Sequence, residues 1–125
     1  MINSFTDLSS WQISHQLVIE VYQVTKLFPT TETYSLTDQM RRAAVSITSN
    51  IAEGFGRKAV KEKIQFYHLS LGSTTELHNQ CMLARDLGYV NTDYYEKIEQ
   101  RIIVVYKLIW ASIRSFKQFS NHSKL

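Results

Sequence analysis

Proline and glycine are scarce in this chain. One proline and four glycines in 125 residues leave too few turn-formers for an all-β fold or for a chain with many loops. Long helices are the expected alternative. The single cysteine, Cys81, excludes an internal disulfide and suits a reducing compartment. No apolar stretch approaches membrane-spanning length. The N-terminal MINSFTDLSSWQIS has no basic region followed by an apolar run, so a signal peptide is not expected. No glycine-rich loop precedes a lysine-serine or lysine-threonine pair, which leaves no phosphate cradle. His78 and Cys81 stand three apart with Glu76 close by, but no second ligand pair exists elsewhere, so a zinc site is not expected. The expectation is one cytoplasmic, soluble domain, without a cofactor or metal and without membrane contact, and not an enzyme.

The apolar residues that are present fall into helical seams. Leu17, Val21, Val24 and Phe28 define a first helix over about 9–28, with Ser9 or Ser10 as its cap and Pro29 as its stop. Trp11, Val18 and Tyr22 form a second stripe beside that seam. Residues 29–35, PTTETYS, read as a loop, and Ser35 with Asp38 reads as a capping box. Leu36, Met40, Ala43, Ile47 and Ile51 make the seam of a second helix over 36–54. Its small residues Ala43, Ala44, Ser46, Ser49 and Ala52 allow close helix approach. Gly54 and Gly56 are expected to end it in the left-handed cap conformation.

A third helix over 58–87 follows from Val60, Ile64, Tyr67, Leu71, Thr74, Leu77, Cys81 and Ala84, with Gly88 at its C-cap. Asn91, Thr92 or Asp93 then caps a fourth over 92–119. Ile98, Ile102, Val105, Ile109, Ser112, Phe116 and Phe119 give its seam, and Ile103, Tyr106, Trp110 and Ile113 a second stripe. The tail NHSKL is expected to fray. Short connections make neighbouring helices antiparallel, so the fold class is all-α, an antiparallel up-and-down four-helix bundle in a single domain spanning 1–125. The first and fourth helices carry more apolar surface than a slender bundle buries, which points to a homo-oligomer.

Charge is sorted into blocks. Residues 1–40 carry one base and four acids, residues 41–63 six bases and two acids, residues 64–99 two bases and five acids, and residues 100–125 five bases and no acid. The bundle topology gathers Arg57, Lys58, Lys61 and Lys63 with Arg114, Lys117 and Lys124 at one end. Such a rim attracts phosphate backbones without reading sequence. Basic side chains also solvate helix ends, so a protein-protein scaffold with no nucleic-acid contact stays open beside it. Arg41 and Arg42 stand near a helix N-terminus, where the dipole does not favour cations, so partners such as Asp38 or glutamates of another helix or subunit are expected. Glu53 should pair with Arg57, four residues on. Asn50 and Ser46 are expected in a buried polar network on the small-residue face. Trp11 and Trp110 are read as core and interface residues.

The stretch LTDQMRRAAVSITSNIAEGFGR, residues 36–57, together with FPTTETYS before it and FYHLSLGSTTELHNQCMLARDLGY after it, resembles a bacterial four-helix bundle family. That family includes proteins encoded by intervening sequences of 23S ribosomal RNA genes. It is related to the accessory variability determinant of diversity-generating retroelements. The most specific residues are Gln39 to Ala44, Ser46-Ile47, Asn50 to Gly54, and Gly72-Ser73 with Glu76-Leu77. Thr48 departs from the pattern, which often has proline there, and this implies a straighter second helix. The resemblance implies a ring-like homo-oligomer, typically a pentamer. It also implies RNA or DNA and a reverse transcriptase-like protein as partners. The functional expectation is a non-enzymatic accessory protein that binds nucleic acid through its basic rim, with Arg41, Arg42, Asn50 and Glu53 as internal or intersubunit anchors.

Overall fold

The structure, a computed structural model, describes residues 1–123, with side chains described through residue 121. Four helices account for most of it: α1 (Ser9–Thr25), α2 (Leu36–Gly56), α3 (Val60–Asp86) and α4 (Thr92–Ser123). Short 3₁₀ turns at Phe5–Asp7 and Thr30–Glu32 precede α1 and α2, and no strand occurs among the described residues. The helices follow one another antiparallel, and α2 packs against α3 more extensively than any other pair does.

The seams read from the sequence form the core. Leu17, Val21, Val24 and Phe28 are buried, as are Leu36, Met40, Ala43, Ile47 and Ile51 of α2. Tyr67, Leu71, Thr74, Leu77, Cys81 and Ala84 of α3 are buried too, facing Ile98, Ile102, Val105 and Ile109 of α4. The α4 seam then departs from expectation. It passes to Ile113, fully buried, rather than to Ser112, and Phe119 is 65% exposed. Helix length supplies the reason for the exposure of Phe119. At 1.5 Å per residue α1 is about 26 Å long and α4 about 48 Å, so α1 does not accompany the last turns of α4. Phe116 there packs edge-on against Tyr67 of α3, with ring centroids 5.2 Å apart.

The helix ends show which capping signals operate. Ser35 makes no side-chain cap bond, and Asp38 pairs with Arg42 instead of closing a capping box. A capping box forms at Ser4, where the hydroxyl accepts from Thr6 N–H and the Asp7 carboxylate accepts from Ser4 N–H at 3.1 Å. Neither Ser9 nor Ser10 is the N-cap of α1; that position is Leu8. The last turn before Pro29 tightens into bonds from Leu27 N–H to Val24 and from Phe28 N–H to Thr25, which ends the α-helical pattern at Thr25 rather than at 28.

Gly88 fulfils its reading. It has φ +80°, its N–H bonds to Arg85, and Tyr89 N–H bonds to Ala84, the paired geometry of a Schellman cap. Asn91 caps α4 by accepting from Tyr94 N–H at 2.8 Å. Gly54 and Gly56 do not take the left-handed conformation expected of them. α2 runs unbroken through Thr48 and ends at Gly56. α3 starts at Val60, two residues later than expected, and α4 continues as helix to Ser123 where fraying was expected from Asn121.

Candidate functional site

The connection from α2 to α3 and the last turns of α4 lie at one end of the bundle. The Tyr67–Phe116 contact fixes this juxtaposition. Arg57, Lys58, Lys61, Lys63, Arg114 and Lys117 therefore share that end; Lys124 lies outside the described residues. Arg57, Lys58, Lys61, Arg114 and Lys117 are exposed. The Arg57 guanidinium lies 4.7 Å over the Phe66 ring and 3.8 Å from the Glu53 carboxylate, the pairing expected from their spacing.

Lys63 is different. Its ammonium donates to Phe55 C=O at 2.8 Å and to Gly54 C=O at 3.3 Å, closing the last carbonyls of α2. Burial holds its pKa below the usual lysine value. Its role is that of a cap, drawn inward from the rim. Acids near this end are partly engaged: the Asp7 carboxylate accepts from the backbone N–H groups of Asn3 and Ser4. Glu62 stands in the first turn of α3, where the dipole favours it.

The expected anchors resolve into separate roles. Arg41 reaches α1: Nε donates to Thr25 Oγ1 at 2.9 Å, Nη2 approaches Tyr22 C=O at 3.4 Å, and the guanidinium lies 4.6 Å over the Tyr22 ring. Its partners within the chain are a hydroxyl, a carbonyl and a ring rather than a carboxylate. Arg42 pairs with Asp38 at 2.9 Å on the surface. Asn50 donates to Ser46 C=O at 2.8 Å, and the Ser46 hydroxyl meets Ser73 Oγ at 2.8 Å across the α2–α3 contact. One turn along, the buried Ser70 hydroxyl donates to Ile47 C=O at 2.7 Å. Small side chains thus bring two backbones within reach of one hydroxyl.

Trp11 is half-buried, stacked on His15 at 4.6 Å and edge-on to Phe5 at 5.4 Å. Trp110, also half-buried, meets His68 edge-on at 5.5 Å and Tyr106 at 6.4 Å.

One polar cluster is not legible in the sequence. Glu99 on α4 accepts from the Tyr95 hydroxyl at 2.6 Å and meets His78 Nε2 of α3 at 3.0 Å. These bonds, Tyr95 first, hold the Glu99 carboxyl below the usual carboxylate range. Burial, helped by Glu99, pushes the Tyr95 phenol up to about 12. Tyr95 and Glu99 are one helical turn apart, a visible spacing, but His78 is brought in only by the packing of α3 on α4. Cys81, three residues from His78, is buried, and burial raises its thiol to about 12. No group of three or more His, Cys, Asp or Glu side chains is placed to hold a metal among the described residues. No helix among them is long and apolar enough to cross a membrane.

Fold and site together define a four-helix bundle with a basic end and a hydroxyl-rich α2–α3 contact. The family model for the 23S rRNA-intervening sequence protein matches residues 6–111, and the chain belongs to that family. The bundle is similar to the crystal structure of a protein of unknown function from the S23 ribosomal protein family of Bacteroides thetaiotaomicron. The TM-score is 0.77 at 20% identity, over 83% of this chain and 97% of that one. No curated protein matches the chain.

Proposed function

We propose that this protein is a non-enzymatic accessory bundle that binds nucleic acid through its basic end and works as a homo-oligomer. The observation that carries the reading is the placement of Arg57, Lys58, Lys61, Arg114 and Lys117 at one end, exposed. Compensation of helix dipoles does not account for all of them. Lys61 stands in the first turn of α3, where a cation gains nothing from the dipole, and the carbonyls at the end of α2 are already served by Lys63. The family description, 23S rRNA-intervening sequence protein, names a ribosomal RNA setting and no activity.

Two unlike apolar surfaces support the oligomer. Ile13 and Val104 line a groove between α1 and α4, and Leu69 and Leu83 on α3, with Leu87 at its C-cap, are exposed. A cyclic assembly needs two different faces that meet head to tail, and closure of such a contact gives a ring. A pentamer is the ring size this reading adopts from the family resemblance.

Binding of a fluorescein-labelled RNA, followed by anisotropy across a salt series, tests the nucleic-acid part. With four or five phosphates neutralised, log K should fall against log salt with a slope of about −3 for a single strand. Lys58→Glu should weaken binding for every sequence alike. Absence of binding at low salt would instead leave the scaffold reading, in which the same charges only solvate the bundle. Light scattering tests the assembly, and a monomer across the concentration range would remove both the ring and the interface argument.

A further inference from the structure

Two rows of side chains run together along the outer side of the α3–α4 pair. On α3, Lys61, Gln65, His68, Gly72 and Thr75 recur at alternating steps of four and three, and all are exposed. On α4, Ile103, Lys107, Trp110, Arg114 and Lys117 recur in the same steps; Ile103 and Trp110 are half-buried and the three cations exposed. That period puts each set on one helix face. The two faces meet: His68 and Trp110 touch across the groove at 5.5 Å, and Tyr106 touches Trp110 at 6.4 Å. About two helical turns further along, a mostly apolar cavity of about 370 Å³ opens between the helices, lined by Thr75, His78, Ile103, Tyr106 and Lys107 among others. That volume falls in the range of small-ligand sites, about 300–1,000 Å³.

No position in either row is acidic. Of the carboxylates near the rows, Glu99 is held by Tyr95 and by His78 of the cavity lining, Glu76 by Gln80 Nε2 at 3.2 Å, and Glu62 stands exposed beside Lys61. The rows therefore combine cations that continue the basic end with an aromatic platform and a recess beside it. This is the combination that holds single strands: a positive groove follows the phosphates, and exposed ring faces stack unpaired bases.

We infer that the α3–α4 face is a track for single-stranded nucleic acid. Phosphates follow Lys61, Lys117, Arg114 and Lys107 inward from the basic end, and one unpaired base leaves the strand at Trp110 and Tyr106 to enter the cavity beside Thr75. The inference rests on the nucleic-acid reading above and extends it, because it names the form of the ligand and residues well away from the rim. A duplex hides its base faces and gains only from the phosphates.

The test uses the full chain with Trp11→Phe, which leaves Trp110 as its one tryptophan and keeps a ring beside Phe5 and His15. Trp110 emission is followed while oligouridylate RNA, oligothymidylate DNA or a duplex is added at low salt, each about 15 nucleotides or pairs long. Single strands should quench Trp110 saturably, and the duplex should bind about ten-fold more weakly without quenching. Tyr106→Ala should weaken single-strand binding about ten-fold. Lys107→Gln should reduce the salt slope by about 0.7. Both positions are exposed, so circular dichroism should show the helices intact. Equal quenching by RNA and DNA supports recognition of their shared backbone and bases, and a preference for either supports the track while naming its ligand. Unchanged Trp110 emission, or full affinity in both Tyr106→Ala and Lys107→Gln while Lys58→Glu binds weakly, overturns the track and leaves the rim standing. Failure of every nucleic acid to bind overturns both.

Discussion

Tyr67 occupies the space that a side chain at Gly54 would need. A Cβ at position 54 would stand 2.8 Å from both Cδ1 and Cε1 of Tyr67 and 3.1 Å from Phe66 Cβ. An alanine inside a helix ordinarily gains about 0.5–1 kcal/mol over glycine. Here the clash dominates, because the buried tyrosine has no room to retreat, and overpacking costs about 1–3 kcal/mol. Gly54→Ala should therefore lower the urea midpoint, measured at fixed protein concentration. Gly72 is the control. It lies within α3, and a Cβ there would meet nothing within 4 Å, so Gly72→Ala should raise stability by about 0.5–1 kcal/mol. Equal stability of Gly54→Ala and the parent would show that Tyr67 yields.

The same glycine marks how far the sequence can be read. The seams of α1, α2 and α3 are legible because burial on one helix face writes a local period of 3.6 into the chain. Gly54 reads as a cap because a glycine near a helix end and a glycine at a close contact look alike until the opposing residue, thirteen positions on, is in place. The capping signals are ambiguous in the same way. Ser4 with Asp7 and Ser35 with Asp38 have the same spacing, and Asp38 is drawn off by Arg42. On α4 two adjacent stripes of equal quality are present, and only packing decides that Ile113 is buried and Phe119 exposed. The basic end is legible because it follows from topology alone. The groove along α3 and α4 is not, since His68, Trp110 and Tyr106 become neighbours only through packing.

Adjacent arginines on α2 should differ sharply in what they contribute. Arg41 ties α2 to α1 through Thr25 Oγ1, Tyr22 C=O and the Tyr22 ring. Arg42 pairs with Asp38 while its side chain stays 79% exposed. Arg41→Ala should cost about 1–2 kcal/mol, from a charge-assisted hydrogen bond and a ring contact. Arg42→Ala should change stability by no more than about 0.5 kcal/mol, the scale of an exposed helix pair. Lysine at position 41 should not restore the loss, since an ammonium cannot bond Thr25 while lying flat over Tyr22. Urea melts of the three variants check this, and a full rescue by lysine would reduce Arg41 to a plain charge.

Cys81 should be silent in the native protein. It is 3% exposed on the α3 seam, and burial pushes its thiol up to about 12, so almost no thiolate forms at neutral pH. The thiolate is the reacting species. Modification by Ellman's reagent should therefore proceed only through opening of the helix bundle and should accelerate with urea in step with unfolding. Cys81→Ala should cost about 1–3 kcal/mol through the cavity it leaves, while leaving nucleic-acid binding unchanged. Rapid labelling in buffer, with the helical circular dichroism intact, would contradict this placement.

Glu99 gives the fold an acid-side dependence whose sign is fixed by its partners. The Tyr95 hydroxyl and His78 hold its carboxyl below the usual range. A group whose pKa is lowered by folding stabilises the native state above its unfolded value, about 4.3 for glutamate. That contribution is lost as the pH falls through the lowered native value. Tyr95 stays protonated throughout, its own pKa raised to about 12, so it remains a donor over the whole window. Glu99→Gln should thus unfold at lower urea than the parent at pH 7, and the part of the difference carried by the carboxylate charge should close as the pH falls below about 4. Tyr95→Phe removes the principal donor and should shrink the same pH-dependent difference while leaving the helix content intact. A gap between parent and Glu99→Gln that persists unchanged to pH 3 would show that the cluster acts by packing α3 against α4 and not through the carboxylate charge.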